Sequence, residues 1–467
     1  MSDTRLRGLP SVDRVLKSAP VAESLRDLPR AVVLEAARAE LAEARTALRS
    51  AKRATPPEHD ALGMRIAARA RAAARPQLVR VLNATGVVLH TNLGRAPLAE
   101  SARRAVAEVA AGYSSLEYDL AAGRRGERGA GVERWLTRLT GAEAALAVNN
   151  GAAAVMVVLS AVATGRKVLV SRGELVEIGG SFRVPEIMEK SGAVLVEVGS
   201  TNRTHLRDYE RAFARHDGIA AILRVHPSNF RIQGFTGRPE LPELARLAHA
   251  RRVTMIEDLG SGALVDMAAY GLEHEPTVAE SLAAGVDLVT CSGDKLLGGA
   301  QAGLVLGTKR WVQRVRKDPF ARAMRVDKLA LAALEATLAL YADPARASEQ
   351  IPTLVALRAS REMLSERAGR LAAELQSRVP GLGTRIVEGH GEVGGGSMPL
   401  QKLKGPIVEL SHATLGAAEL ERRARTAEPP ILGTVRSDRF RLDPRTLTEP
   451  EVGMLAIALA KVLDPDA

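Results

Sequence analysis

VDLVTCSGDKLLGGAQAGLVL, residues 286–306, is the stretch from which the rest of the chain is read. It opens on an apolar run from Val286 to Thr290 and turns through Ser292, Gly293 and Asp294. It then presents Lys295 beside Leu296 and Leu297, and returns through Leu304, Val305 and Leu306. Short apolar runs bounded by Gly and Asp read as strand, tight turn, lysine and return strand. A lysine among apolar neighbours is partly desolvated, which lowers its pKa and suits its amine to a Schiff base with an aldehyde. A solvated turn lysine is the competing reading, because lysines are seldom buried.

Outward from this stretch, apolar runs at 144–148, 168–170, 194–198, 220–225 and 253–256 alternate with helical segments such as 151–163 and 241–250. Strand and helix alternating at this spacing predict a mostly parallel sheet covered on both faces, with ligands beyond the carboxyl ends of the strands. From 326 the chain turns helical (330–340, 360–375), then mixes short strands such as 406–410 and 439–442 with helices, which predicts a small α/β domain. Before about 75 it reads as helical throughout. Val33, Leu34, Ala37, Leu41, Ala44 and Leu48 give a helix over 31–54 its apolar face, Thr55-Pro56-Pro57 breaks it, and a helix over 58–75 carries Arg65, Arg69, Arg71 and Arg75. Three domains are expected: 1–75, 76–325 and 326–467.

The 467 residues carry a net charge of +11, and only 3% are aromatic, so the cores must be built from Ala, Val and Leu. Residues 1–80 hold 16 Lys and Arg against 9 Asp and Glu, a surplus of 7 that leaves +4 for the remaining 387. A basic segment points to a polyanion, nucleic acid first, although Arg-rich usage along the chain would give the same count. One cysteine, Cys291, excludes an intramolecular disulfide and a multi-cysteine metal site, so no metal is expected. No apolar run nears the roughly 18 residues of a membrane span, and the start has no apolar signal core. A soluble, cytoplasmic protein is expected.

Four local features converge. VNNGA at 148–152 ends a strand and starts a helix, where free N–H groups at Asn150 and Gly151 suit a phosphate. MIEDLGSG at 255–262 sets Asp258 at a strand end, able to keep a pyridine nitrogen protonated or to serve as a helix cap. Ser292 adds a hydroxyl to the phosphate. HPSNF at 226–230 offers Asn229 to a ring hydroxyl, or is an ordinary proline turn. A phosphate turn, an aspartate and a lysine on successive strand ends describe a pyridoxal-phosphate site, in which the protonated ring withdraws electrons from a substrate carbon.

RVLNATGVVLHTNLGR at 80–95, SRGELVEIGG at 171–180, QGFT at 233–236, SGDKLLGG at 292–299 and the opening LPSVD at 9–13 resemble the bacterial selenocysteine synthases, the L-seryl-tRNA(Sec) selenium transferases. The resemblance spans nearly the whole chain and implies the fold-type I architecture of pyridoxal-phosphate enzymes. It implies that seryl-tRNA(Sec) forms an imine with pyridoxal 5'-phosphate, loses its Cα proton and β-hydroxyl to give an aminoacrylyl intermediate, and takes up selenium from selenophosphate. It makes Lys295 the cofactor lysine, with Asp294 before it, and places Arg95, Arg322 and Arg325 around the active site.

Guanidinium forks suit the selenophosphate oxyanion, and Arg322 and Arg325, three apart, share a face if FARAMR at 320–325 is helical. A surface basic pair is the plainer reading. The resemblance further implies tRNA binding by residues 1–75 and a homodecamer built as a pentamer of dimers. GRRGERG at 123–129 also resembles the family and serves either the active site or RNA. Gly151 and Pro227 depart from the family pattern. A pyridoxal-phosphate lyase or aminotransferase for a free amino acid and a non-catalytic RNA-binding protein are the alternatives, and the basic helical segment weighs against the first.

Overall fold

The computed structural model describes residues 4–50, 55–178, 182–230 and 232–463. Positions 51–54 of the expected helix over 31–54, Gly179 and Gly180 of the 171–180 motif, and the last four residues lie outside these. The chain folds as two compact units, 1–80 and 81–467.

In the first unit the helices Ala19–Asp27, Arg30–Ser50 and His59–Ala74 pack around Val15, Val21, Val33, Ala37, Leu41, Leu62 and Ile66. The apolar stripe read at 31–54 is the buried one, and burying each Val, Leu or Ile contributes about 1.5–3 kcal/mol. Arg65 and Arg69 share a face, but that face is turned to acid. Arg65 Nε lies 3.2 Å and Arg69 Nη1 3.0 Å from the Glu40 carboxylate, and Arg69 Nη1 is also 2.7 Å from Glu43.

The second unit is organised by a seven-stranded sheet. Its strands in chain order are β1 (Ala144–Val148), β2 (Lys167–Ser171), β3 (Val194–Val198), β4 (Ile219–Val225), β5 (Thr254–Gly260), β6 (Leu288–Ser292) and β7 (Gly303–Gly307). Their spatial order is β1-β7-β6-β5-β4-β2-β3, with β7 antiparallel to both its neighbours and the other paired strands parallel. Side chains alternate between two cores: Leu304 and Leu306 of β7 enter one and Val305 the other, while Met255 and Ile256 of β5 divide likewise. The helix Gly151–Ala163, apolar nearly all round, fills the second core.

A five-stranded sheet built mainly on Leu382–Gly394 and Lys402–His412 encloses a separate core with the helices Arg361–Arg378 and Glu449–Leu463. Its edge strand is Val87–Leu89, paired parallel to Leu382–Gly394, and Leu82–Asn83 pairs with Ile431–Leu432. These short strands lie within 76–325 of the sequence, yet they join the C-terminal sheet. No helix among the described residues is long and apolar enough to cross a membrane.

Candidate active site

The turn between β6 and β7 buries what it carries. Lys295 is 5% exposed and Asp294 6%. The turn is stitched to the end of β5, because Leu296 N–H donates to the Ser261 carbonyl at 3.0 Å. Gly262 makes that seam possible: it sits at φ +73°, and a Cβ there would lie 2.1 Å from the Ser292 carbonyl oxygen. Burial pushes the Lys295 amine below the usual lysine range and Arg95 adds to this, while Asp258 and Asp294 pull it back up.

Asp258, on the neighbouring strand β5, is also buried. Its Oδ1 accepts a hydrogen bond from Thr290 Oγ1 of β6 at 2.9 Å. Burial raises its pKa to about 6, with Thr290 and then Lys295 acting in the opposite direction. An amine that burial pushes towards its neutral form and an ionisable carboxylate therefore sit at adjacent strand ends.

Beside them the helix Gly151–Ala163 begins. Asn150 caps it, its side-chain oxygen accepting from Ala153 N–H at 2.8 Å. A Cβ on Gly151 would lie 2.6 Å from Ser292 Oγ, so only glycine leaves the serine hydroxyl against the helix start. Ser261 Oγ, fully buried, has no partner among the described residues. An amine, a carboxylate, and helix-start N–H groups beside a hydroxyl are the donor set that a phosphorylated pyridine aldehyde requires.

Arg95, 199 positions from Asp294 in sequence, reaches it through Nη1 at 2.7 Å. Its backbone is held at φ +62°, a left-handed conformation that costs a non-glycine residue about 1–3 kcal/mol. Asn229 is held elsewhere: its amide donates to the Glu177 carbonyl at 2.9 Å, and its Oδ1 is buried without a partner among the described residues.

Arg322 and Arg325 do not share a helical face. The helix Pro319–Ala323 ends before Arg325, and Arg325 instead forms an antiparallel bridge with Val148, at the start of the phosphate turn. Proline at the helix start and the Met324 carbonyl, which accepts from Asn149 N–H at 2.9 Å, fix this path. Both arginines nonetheless line one cavity of about 280 Å³, together with Arg125 and Arg128 of the 123–129 loop. Glu117 gathers three of these cations, with Arg128 at 2.9 Å, Arg125 at 3.1 Å and Arg325 at 3.5 Å. Hydrogen bonding from Arg128, the largest cause, holds Glu117 below the usual carboxylate range. Sequence reading missed Glu117, which no local pattern marks, and Thr290, whose role depends on strand register.

The family model for L-seryl-tRNA selenium transferase matches residues 81–448, and the model for the selenocysteine synthase N terminus matches 6–45. The chain is 48% identical to the L-seryl-tRNA(Sec) selenium transferase of Nitratidesulfovibrio vulgaris and 49% identical to that of Solidesulfovibrio magneticus, each match covering 98% of both chains. Among solved structures it is similar in fold to D-glucosaminate-6-phosphate ammonia-lyase, with a TM-score of 0.56 at 22% identity, covering 83% of this chain and 96% of that one.

Proposed function

We propose that this chain, which belongs to the L-seryl-tRNA(Sec) selenium transferase family, uses Lys295, Asp258, Arg95, Arg322 and Arg325 to turn seryl-tRNA(Sec) into selenocysteinyl-tRNA(Sec). The enzyme depends on pyridoxal 5'-phosphate and has the fold-type I architecture. When bound, the cofactor supplies a protonated heterocycle that withdraws electrons from the serine Cα.

The chain's own residues do the rest. Lys295 holds the cofactor through its amine, whose pKa burial lowers, and takes the proton from the serine Cα. Asp258 presents a carboxylate to the ring N–H, and Thr290 steadies the ionised form. Ser292 and the backbone at Asn150 and Gly151 take the phosphate. Asn229 reaches the ring hydroxyl through the oxygen that its amide bond to Glu177 leaves free.

Asp294, fixed by Arg95, orients the lysine. Arg95, Arg322 and Arg325 bind selenophosphate, the selenium donor, as a small oxyanion. Residues 1–75 bind the tRNA, which their positive charge supports. The enzyme works in the cytoplasm as a homodecamer, a pentamer of dimers. Tyr113 and Leu120, fully and 77% exposed on either side of the short strand Tyr118–Asp119, which pairs with Arg124–Arg125, are the kind of apolar surface that self-association covers.

One observation carries the reading: a lysine and an aspartate, each less than a tenth exposed, on neighbouring strand ends beside a helix start. Lys295→Ala is expected to abolish turnover and the near-ultraviolet or visible cofactor band while far-ultraviolet circular dichroism stays unchanged. Wild-type rates in that variant would end the assignment.

A further inference from the structure

A second cavity, of about 340 Å³, opens beyond the carboxyl ends of β2 and β4 and has no role in the chemistry derived above. It shares a wall with the site. His226 N–H donates to the Asp258 carbonyl at 2.9 Å, and a Cβ on Gly260, two residues past Asp258, would lie 3.4 Å from Ser228 Oγ. Ser228 lines the cavity, is 1% exposed, and its hydroxyl has no partner among the described residues. A buried hydroxyl left unpaired costs about 1–3 kcal/mol unless a ligand satisfies it.

The wall carries both signs, with Glu174, Glu273 and Glu275 lining the cavity alongside Arg203 and Arg238. Buried Arg224 nearby is neutralised by Glu174 at 3.2 Å. Arg203 and Arg238, which line the cavity, have no carboxylate within ion-pair distance among the described residues, and the backbone of Arg203 bridges to Gly237, the residue before Arg238. Guanidinium groups without a carboxylate partner are available to an anion that enters the cavity.

Next to them Phe235 is 89% exposed. Its loop is nonetheless tied down: Asn202 Nδ2 donates to the Phe235 carbonyl at 2.6 Å, and Thr204 N–H donates to Gly237 O at 2.9 Å. An exposed aromatic ring on an anchored loop, near two arginines free of carboxylates, is the combination that binds single-stranded nucleic acid, by stacking and by phosphate contact.

We propose that this cavity receives the terminal nucleoside of the tRNA acceptor end. Arg203 and Arg238 hold the last phosphates, Ser228 hydrogen-bonds the nucleoside, and Phe235 stacks on the preceding base. The proposal rests on the reading that the substrate is an aminoacyl-tRNA. The amino acid is esterified to the terminal ribose, so that nucleoside must lie within an ester's reach of the reacting carbon. The cavity abuts the strand end that carries Asp258, through the His226 N–H bond to the Asp258 carbonyl.

The test uses the full-length holoenzyme and the trinucleotide CCA as probe. The wild type is expected to bind CCA, and Arg203→Gln/Arg238→Gln to lose at least tenfold in that affinity. The same variant should raise KM for seryl-tRNA(Sec) at least tenfold, with an unchanged cofactor band and unchanged affinity for tRNA(Sec) lacking its whole CCA end. Should the double variant lose the cofactor band through misfolding, Phe235→Ala replaces it, with a threefold or greater loss of CCA affinity expected.

Equal CCA affinity in wild type and variant, or no binding to the wild type, overturns the proposal. So does adenosine 5'-monophosphate binding that uncharged tRNA(Sec) fails to displace, since the cavity would then take a free nucleotide. A wild type that makes no selenocysteinyl-tRNA sinks the functional reading itself. An active wild type with an indifferent variant sinks only the cavity assignment.

Discussion

Thr290→Val isolates the electrostatics of the cofactor site. Valine keeps the shape of the side chain and removes the hydroxyl that donates to Asp258 Oδ1 at 2.9 Å. A hydrogen bond to a charged group contributes about 1.5–3 kcal/mol; at about 2 kcal/mol its loss moves the carboxylate up by about 1.5 pKa units. Asp258 would then titrate at about 7.5, against about 6 in the wild type.

The sign follows from which form the cofactor needs. The protonated ring pairs with the ionised carboxylate, so affinity is full above the Asp258 pKa and is lost as pH falls through it. At pH 6 the ionised fraction falls from about one half to about 3%, a roughly 16-fold weaker apparent affinity; at pH 7 the factor is about 4, and at pH 8.5 it is about 1. Titration of apo-enzyme with pyridoxal phosphate, followed by absorbance at the three pH values, measures this directly. The cofactor phosphate titrates in the same range but affects both proteins alike and cancels in the ratio. A wild-type to variant ratio that does not change with pH would refute the reasoning.

Two further perturbations separate binding from framework. Arg322→Gln and Arg325→Gln are each expected to raise KM for selenophosphate by about 10- to 100-fold, the loss of one charge-assisted contact, with no change in the cofactor spectrum; steady-state kinetics with varied donor checks this, and a loss confined to kcat would contradict it. Glu40→Ala leaves Arg65 and Arg69 without their shared partner and should lower the unfolding midpoint of the N-terminal unit; a thermal or urea melt that matches wild type would show the clasp to be idle.

What could be read in the sequence follows the range of the interactions involved. The strand, turn and lysine of 286–306 are local, and the pattern of apolar runs predicts them to within two residues. The helix 151–163 begins and ends at the expected positions, because Asn150 is both a good cap and the last residue before an apolar run. Contacts between distant residues carry no such signal. Arg95 meets Asp294 across 199 residues, and Thr290 meets Asp258 only because β5 and β6 pair in the register that sets those two residues opposite each other. Arg322 and Arg325 were spaced for a helix, but the helix stops at Ala323 and the chain leaves it to bridge β1. A run of six residues does not reveal which strand edge will capture its end.

The N-terminal unit shows the same limit in its charge. A count of lysines and arginines gives a surplus, and helical spacing puts Arg65 and Arg69 on one face, but neither says what that face meets. It meets Glu40, whose side chain is only 12% exposed, so two of the cations serve to close the bundle. The helix Arg30–Ser50 presents a different set. Arg38, Arg45 and Arg49 are exposed, stand seven and four residues apart on one line, and have no ion-pair partner among the described residues. At about 1.5 Å of rise per residue they span roughly 16 Å along the helix. Phosphate contact comes most readily from cations not already paired, and that line offers three of them, which Arg65 and Arg69 do not.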